Sequence, residues 1–405
     1  MEERNTQPVW VTGYGIVSAL GIGVQATLEA LHAKRTGVGR LHYLQTAHND
    51  LPCGEVPLSE AQMREMLGIP TAQITTRTAL MGALALRQAL ESARWAQADN
   101  TLRNAFVNGT TVGGMDKSEQ YYTDFLNNDT RNAYIKTHDC GACTQMIAAQ
   151  GGGRFDCMTT LSTACSSAAN AILLGVNLLR TGRAQRVIAG GSECLTRFHL
   201  NGFQSLKILD AAPCRPFDAT RAGLNLGEGA AYLVLEPASV AAAREVEPLC
   251  VLSGSGNACD AFHQTASSPD GEGAFLAMCR ALQDSGLDSG QIDYVNAHGT
   301  GTPNNDESEG RALMRVFGPH GVPPTSSTKA YTGHTTSASG AVEAVISILA
   351  LQHRFLPVNL HFARPMDSLS FTPVTCEQPA RPLRHVLTNS FGFGGNDTSL
   401  IFSLE

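Results

Sequence analysis

The sequence predicts an α/β fold made of two similar halves, and three observations carry that prediction. Strand-like and helix-like runs alternate along the chain, the pattern that builds layered sheets of mainly parallel strands. Two helical stretches, one from just after Cys165 to Arg180 and one over 337–351, are apolar on nearly every side, as in helices buried within a protein. Each stretch follows a strand and a turn of small residues, so the second unit repeats the first and puts His334 at the head of its helix where the first puts Cys165. Halves of 1–248 and 249–405 follow, with a helical layer between two sheets. No flexible linker marks the boundary, which rests on the repeat alone.

Taken in order, residues 8–13 form a strand ending at Gly13-Tyr14-Gly15, and a helix covers about 23–33. A short helix spans 59–67 and a longer Ala/Leu-rich one spans 76–93. The strand 105–108 closes on Gly109-Thr110-Thr111-Val112-Gly113-Gly114. From 117 to 137 the residues are polar and aromatic, a loop-and-helix excursion at a surface or interface. A β-prone run then reaches Cys165, the first buried helix follows, and the strand 186–189 closes on Gly190-Gly191. Past Gly229 come the strand 230–235 and a helix over 239–245. The pattern restarts with a strand at 249–252, a helix at 273–285 and the strand 294–297, and ends on the second buried helix.

Composition narrows the function. Of the 405 residues 43% are hydrophobic and only 16% charged, against about 25% charged in an average domain. So little charge suits a large compact body that buries a further face against another subunit. The net charge is −7 and no Lys/Arg run exceeds two residues, which leaves nucleic-acid binding without a basis. No apolar run approaches membrane-spanning length and no signal-peptide pattern opens the chain, so a soluble, cytoplasmic protein is expected. The 11 cysteines are scattered and expected to be reduced thiols. The single CxxC pair, Cys140 and Cys143, lacks two further ligands at zinc-site spacing, and no metal is expected.

Strand, sharp turn, helix, strand around Cys165 is the outline of a nucleophile elbow. At the amino end of a helix the dipole and free N–H groups favour a thiolate and can hold an adjacent oxyanion. Three more glycine-flanked turns stand out: Asn296-Ala297-His298-Gly299-Thr300-Gly301-Thr302-Pro303, Lys329-Ala330-Tyr331-Thr332-Gly333-His334, and Asn389-Ser390-Phe391-Gly392-Phe393-Gly394-Gly395-Asn396.

With Thr163-Ala164-Cys165-Ser166-Ser167, Arg215-Pro216-Phe217-Asp218 and Gly227-Glu228-Gly229-Ala230, these turns make the sequence resemble the β-ketoacyl-acyl carrier protein synthases, elongating condensing enzymes with a Cys-His-His triad. The resemblance covers nearly the whole chain. It implies the thiolase fold, a five-layer α-β-α-β-α arrangement. It also implies a decarboxylative Claisen condensation of an acyl group, held as a Cys165 thioester, with malonyl-acyl carrier protein to give a 3-oxoacyl product. Under it, His298 and His334 donate from Nε2 to the thioester oxygen of the enolate, and the amides of Cys165 and Phe393 form the oxyanion hole. Lys329 and Glu343 would position His334 and tune its electrostatics. Thr300, Thr302 and Thr265 would meet the pantetheine arm, Phe391 and Phe393 would gate the site, and Val112 and Phe203 would line the acyl pocket. Lys207 would meet the acidic carrier protein. No cofactor is implied beyond the carrier's phosphopantetheine, and the partners are acyl carrier protein plus a second identical or related subunit.

Some segments depart from that pattern. Gly152-Gly153-Arg154-Phe155-Asp156 is shortened, Ala222-Gly223-Leu224 replaces Asp-Gly-Phe, 117–140 matches poorly, and Thr335-Thr336-Ser337-Ala338-Ser339 is more polar than the usual Leu-Leu-Gly-Ala-Ala. They are expected around the acyl pocket and dimer interface and away from the triad. Substrate and pathway therefore stay open between ordinary fatty-acid synthesis and a specialised polyene or polyketide route. In the latter this chain would be the catalytic member of a ketosynthase/chain-length-factor pair. A silent chain-length factor is opposed by Cys165, and a degradative thiolase by the His-His pair and the Phe391 to Gly395 motif.

Overall fold

The structure, a computed structural model, describes residues 7–95, 101–127, 132–318 and 320–404. Residues 128–131 of the expected excursion lie outside them; its flanks form short helices at Met115–Gln120, Tyr122–Asn127 and Ala133–Thr137.

Ten strands follow one path through an 11-stranded sheet. In chain order they are β1 (Val9–Ser18), β2 (Asn104–Gly109), β3 (Cys157–Leu161), β4 (Arg186–Glu193), β5 (Gly229–Pro237), β6 (Cys250–Cys259), β7 (Tyr294–Asn296), β8 (Thr325–Ser326), β9 (His385–Gly392) and β10 (Asn396–Ser403). The strands β1 to β5 run β1-β5-β4-β2-β3, and β6 to β10 run β6-β10-β9-β7-β8, the same order counted within each half. Directions repeat as well: the first two pairings of each series are antiparallel and the last two parallel. The expected mainly parallel sheets are thus mixed, because each series ends on an antiparallel strand, β5 reached through the long connection from Glu193 to Gly229 and β10 through a tight hairpin between Gly392 and Asn396. The two series join where Val9, Trp10 and Val11 of β1 pair with Leu252, Val251 and Cys250 of β6.

Alternation along the strands divides the interior into layers. On β5, Ala231, Leu233 and Leu235 face a central cluster while Ala230, Tyr232 and Val234 face an outer one. On β10, Leu400 and Phe402 point to the same central cluster and Ile401 to a second outer one. The central layer is α3 (Ser167–Arg180) against α6 (Ser339–His353), while α1 (Arg77–Ser92) with α2 (Cys140–Gly151) and α4 (Glu272–Ser285) with α5 (Pro303–Phe317) cover the outer faces. Every residue of α6 from Ser339 to Leu351 is buried. On α3, by contrast, Leu173, Leu174 and Leu178 are only half-buried, on the flank beside the edge strand β3.

Both halves also use glycine in the same way. A Cβ on Gly13 or Gly15 of β1 would fall 2.7 or 2.0 Å from carbonyl oxygens of α1, and one on Gly254 or Gly256 of β6 would fall 2.3 or 2.2 Å from those of α4. The outer helix can rest on the strand backbone only because those side chains are missing. The repeat is less close at the helix heads. Cys165 stands two residues before α3, but a 3₁₀ turn, Thr336–Ala338, separates His334 from α6, so the second histidine is not at that helix's amino end as expected.

Candidate active site

Cys165 leaves β3 through a tight turn whose preceding residue, Ala164, has φ 53°, a left-handed conformation that costs a non-glycine residue about 1 to 2 kcal/mol. Local bonds hold it. Ser167 Oγ donates to the Ala164 carbonyl at 2.6 Å, Thr163 N donates to Ser167 Oγ at 2.9 Å, and Ser390 Oγ on β9 donates to the Cys165 carbonyl at 2.9 Å. Burial pushes the Cys165 thiol up to about 12, against the charge of Lys329 and a hydrogen bond from the Phe393 amide, both of which favour the thiolate. The expected preference for thiolate is therefore outweighed by burial in the free site, and the group rests as a thiol.

His298 follows β7, and a carboxylate on α5 fixes its backbone: Glu309 accepts from His298 N at 2.9 Å, Gly299 N at 2.7 Å and Asn389 Nδ2 at 3.0 Å. One turn earlier, Asp306 accepts from Gly301 N at 3.1 Å and Phe217 N at 2.7 Å, tying the Arg215 to Asp218 segment to the same loop. His334 is held by backbone pairing, its N–H donating to the Asn225 carbonyl at 2.7 Å and its carbonyl accepting from Gly227 N at 2.9 Å.

The two imidazoles meet edge to face with ring centroids 5.3 Å apart. Burial, and next the charge of Lys329, hold both well below the usual histidine range, so both are neutral at pH 7. Each has Nδ1 occupied. Lys329 Nζ lies 3.2 Å from His298 Nδ1, and Ser339 Oγ lies 2.9 Å from His334 Nδ1. An ammonium can only donate, so His298 Nδ1 is an acceptor and its proton sits on Nε2. Two expectations change here. Lys329 contacts His298 and not His334, and one residue of the polar departure, Ser339, touches a triad histidine. Lys329 also forms a buried ion pair with Glu343, whose carboxyl burial pushes up while Lys329 draws it back.

Cys165, His298 and His334 line one cavity of about 350 Å³. Thr300 and Thr302 line it too, their hydroxyls 2.8 Å apart, and Thr302 also caps α5. Phe391 packs 5.6 Å from His298, and Phe203 stacks on Phe393 at 5.7 Å. Thr265 and Lys207 line the same cavity as exposed residues, at its outer end. Val112 does not line it. Its side chain belongs to the outer cluster, and its amide donates to Glu193 at 3.1 Å. Among the described residues no group of three or more His, Cys, Asp or Glu side chains is arranged to hold a metal ion.

Sequence reasoning missed Glu309, Asp306, Ser339 and Glu193. Glu309 and Asp306 had a usable signal, since 306, 309, 313 and 316 form one buried stripe of α5 and charged residues on such a stripe must be satisfied from across it. Glu193, fully buried, accepts from Thr110 Oγ1 and Thr111 N at 2.8 Å each and from the Ser337 hydroxyl. Nothing in the spacing of 110, 193 and 337 predicts that meeting.

Residues 6–241 match the beta-ketoacyl synthase N-terminal domain and residues 249–363 the beta-ketoacyl synthase C-terminal domain. The chain belongs to the β-ketoacyl synthase family. Among its relatives, this synthase is 32% identical to 3-oxoacyl-[acyl-carrier-protein] synthase 2 of Synechocystis, over 99% of each chain. Its fold is similar to that of the ishigamide ketosynthase/chain length factor, with TM-score 0.90, 27% identity and coverage of 98% of this chain and 99% of the other. The ketosynthase ApeO, solved in complex with its chain length factor ApeC from Xenorhabdus doucetiae, gives TM-score 0.83 and 31% identity over 98% of each chain.

Proposed function

We propose that this synthase is an acyltransferase acting on acyl carrier protein thioesters, with Cys165 as nucleophile and His298 and His334 as enolate-stabilising donors. The observation that carries this reading is the shared cavity, where both imidazoles have Nδ1 occupied and Nε2 left for a substrate. Cys165 Sγ attacks the acyl thioester, and the carrier's sulfur leaves with the thiol proton. The C–CO₂ bond of a malonyl thioester then breaks, and its electron pair becomes an enolate whose oxygen accepts from both Nε2–H groups. One such donor is worth about 3 to 4 kcal/mol in the transition state. The enolate carbon attacks the acyl carbonyl, the Cys165 and Phe393 amides hold the oxyanion, and the C–S bond to Cys165 breaks to release a 3-oxoacyl thioester.

Thr300 and Thr302 would take the pantetheine arm, with Thr265 at its outer end. Phe203 and Phe391 would bound the acyl side, and Lys207 would meet the carrier's acidic surface. Lys329 and Glu343 are assigned to holding His298, and 1–248 and 249–405 to the two halves of one cytoplasmic ketosynthase domain.

Cys165→Ala tests the assignment. Acyl transfer from acyl-carrier thioesters should vanish while malonyl-carrier decarboxylation persists; a variant that still extends chains refutes the nucleophile. A second reading, that this chain is the catalytic member of a heterodimer, is favoured by the two similar ketosynthase/chain length factor structures. Co-expression with candidate partner chains and the mass of the purified particle separate it from a homodimer.

A further inference from the structure

Ser339 and Thr335 form a short hydroxyl chain behind His334. Ser339 Oγ is 2.9 Å from His334 Nδ1, and Thr335 Oγ1 is 3.2 Å from Ser339 Oγ. The two hydroxyls behind the ring are buried, at 2% and 1% exposure for Ser339 and Thr335, so water does not share their protons. Three groups in a row can carry hydrogens in two directions. In one, Nδ1–H donates to Ser339, Ser339 donates to Thr335, and the Thr335 hydrogen has no acceptor among the described residues. A buried donor left unmet keeps the full cost of its lost hydration. In the other, Thr335 donates to Ser339 and Ser339 to Nδ1, so both hydroxyl hydrogens have partners, only lone pairs stay open behind the ring, and the imidazole proton is left on the side of the cavity that His334 lines, where water or substrate can accept it. The second direction puts the imidazole proton on Nε2.

We propose that Ser339, completed by Thr335, is the positioning residue that holds neutral His334 in its Nε2–H form and fixes the ring's rotation toward the cavity. The device differs from the one behind His298, where an ion-paired ammonium sets the tautomer. One histidine is thus backed by a charge and the other by neutral hydroxyls. The ring orientation follows from the same bond, since the Ser339 hydroxyl sits on the first turn of α6, every residue of which is buried from Ser339 to Leu351. The proposal rests on the reading that the Nε2 proton of His334 serves the enolate.

The test keeps those two ideas apart. In protein labelled with ¹⁵N-histidine, long-range ¹H–¹⁵N correlation reads the His334 tautomer without substrate. Wild-type protein and Ser339→Thr, which keeps the hydroxyl, should give the Nε2–H pattern; Ser339→Ala should lose it, and Thr335→Val should weaken it. In a Cys165→Ala background, malonyl-carrier decarboxylation should fall about tenfold or more with Ser339→Ala and recover with Ser339→Thr. Acyl transfer to Cys165 in the otherwise wild-type chain should change far less. An unchanged tautomer in both Ser339→Ala and Thr335→Val overturns the proposal. A lost tautomer with undiminished decarboxylation supports it and overturns instead the role given to His334.

Discussion

Asp397 follows Phe393 by four residues, is 4% exposed, and has its carboxyl pushed up to about 8 by burial, with the charges of Asp260 and Glu309 adding to it. A folded value above the unfolded one, about 3.9, means that the stability this acid contributes is complete below pH 4 and is lost as pH rises through 8. Asp397→Asn should therefore leave the melting temperature near that of the parent at pH 4 and raise it by about 2 °C or more at pH 9. An equal shift at both values would mean that the carboxyl is not the titrating group. Lys329 makes the opposite case. Removing it strands the Glu343 carboxylate and the His298 ring, and Lys329→Ala should cost about 3 to 5 kcal/mol in urea unfolding, with a smaller further loss when Glu343→Ala is added.

The helix α5 does two jobs, packing Leu313 and Phe317 into an outer cluster and presenting Asp306 and Glu309 to the His298 loop. Glu309→Gln keeps the shape but gives up one of the two backbone amides the carboxylate holds, so it should lower decarboxylation by about tenfold and stability by about 1 to 3 kcal/mol. A drop in stability with unchanged decarboxylation would restrict Glu309 to the fold. In the middle layer, Ile346→Ala on α6 should cost about 2 to 5 kcal/mol in the same unfolding assay, since the site is enclosed on every side. The buried helices were legible because their apolar residues leave no polar stripe. By contrast, α5 was hidden, because Pro303-Asn304-Asn305 reads as a turn and its buried stripe carries charge. The strand β6 was expected to stop at residue 252 because Ser253-Gly254-Ser255-Gly256 resembles a breaker. Those glycines in fact continue the strand beneath α4. The triad turns could be read from their residues, but which side chain backs which histidine could not, since it depends on distances across separate loops.

At the scale of the whole molecule, β3 is the outermost strand of its series, with Met158 45% exposed and the half-buried leucines of α3 alongside. An edge of that kind offers unpaired backbone to another chain. Light scattering should give a two-subunit particle, and Met158→Lys should shift it toward single chains; an unchanged particle would move the contact elsewhere. The sulfur and both imidazoles come from opposite sides of a seam that Val9 to Val11 and Cys250 to Leu252 stitch together within the sheet, and that the backbone pairing of His334 with Asn225 and Gly227 crosses beside the site. Nicking the polypeptide beside the exposed Glu247 would leave two inert fragments, each displaying one bare helix of the middle layer. Mixed, they should complement one another and regain turnover, so the protein is a natural candidate for a split reporter.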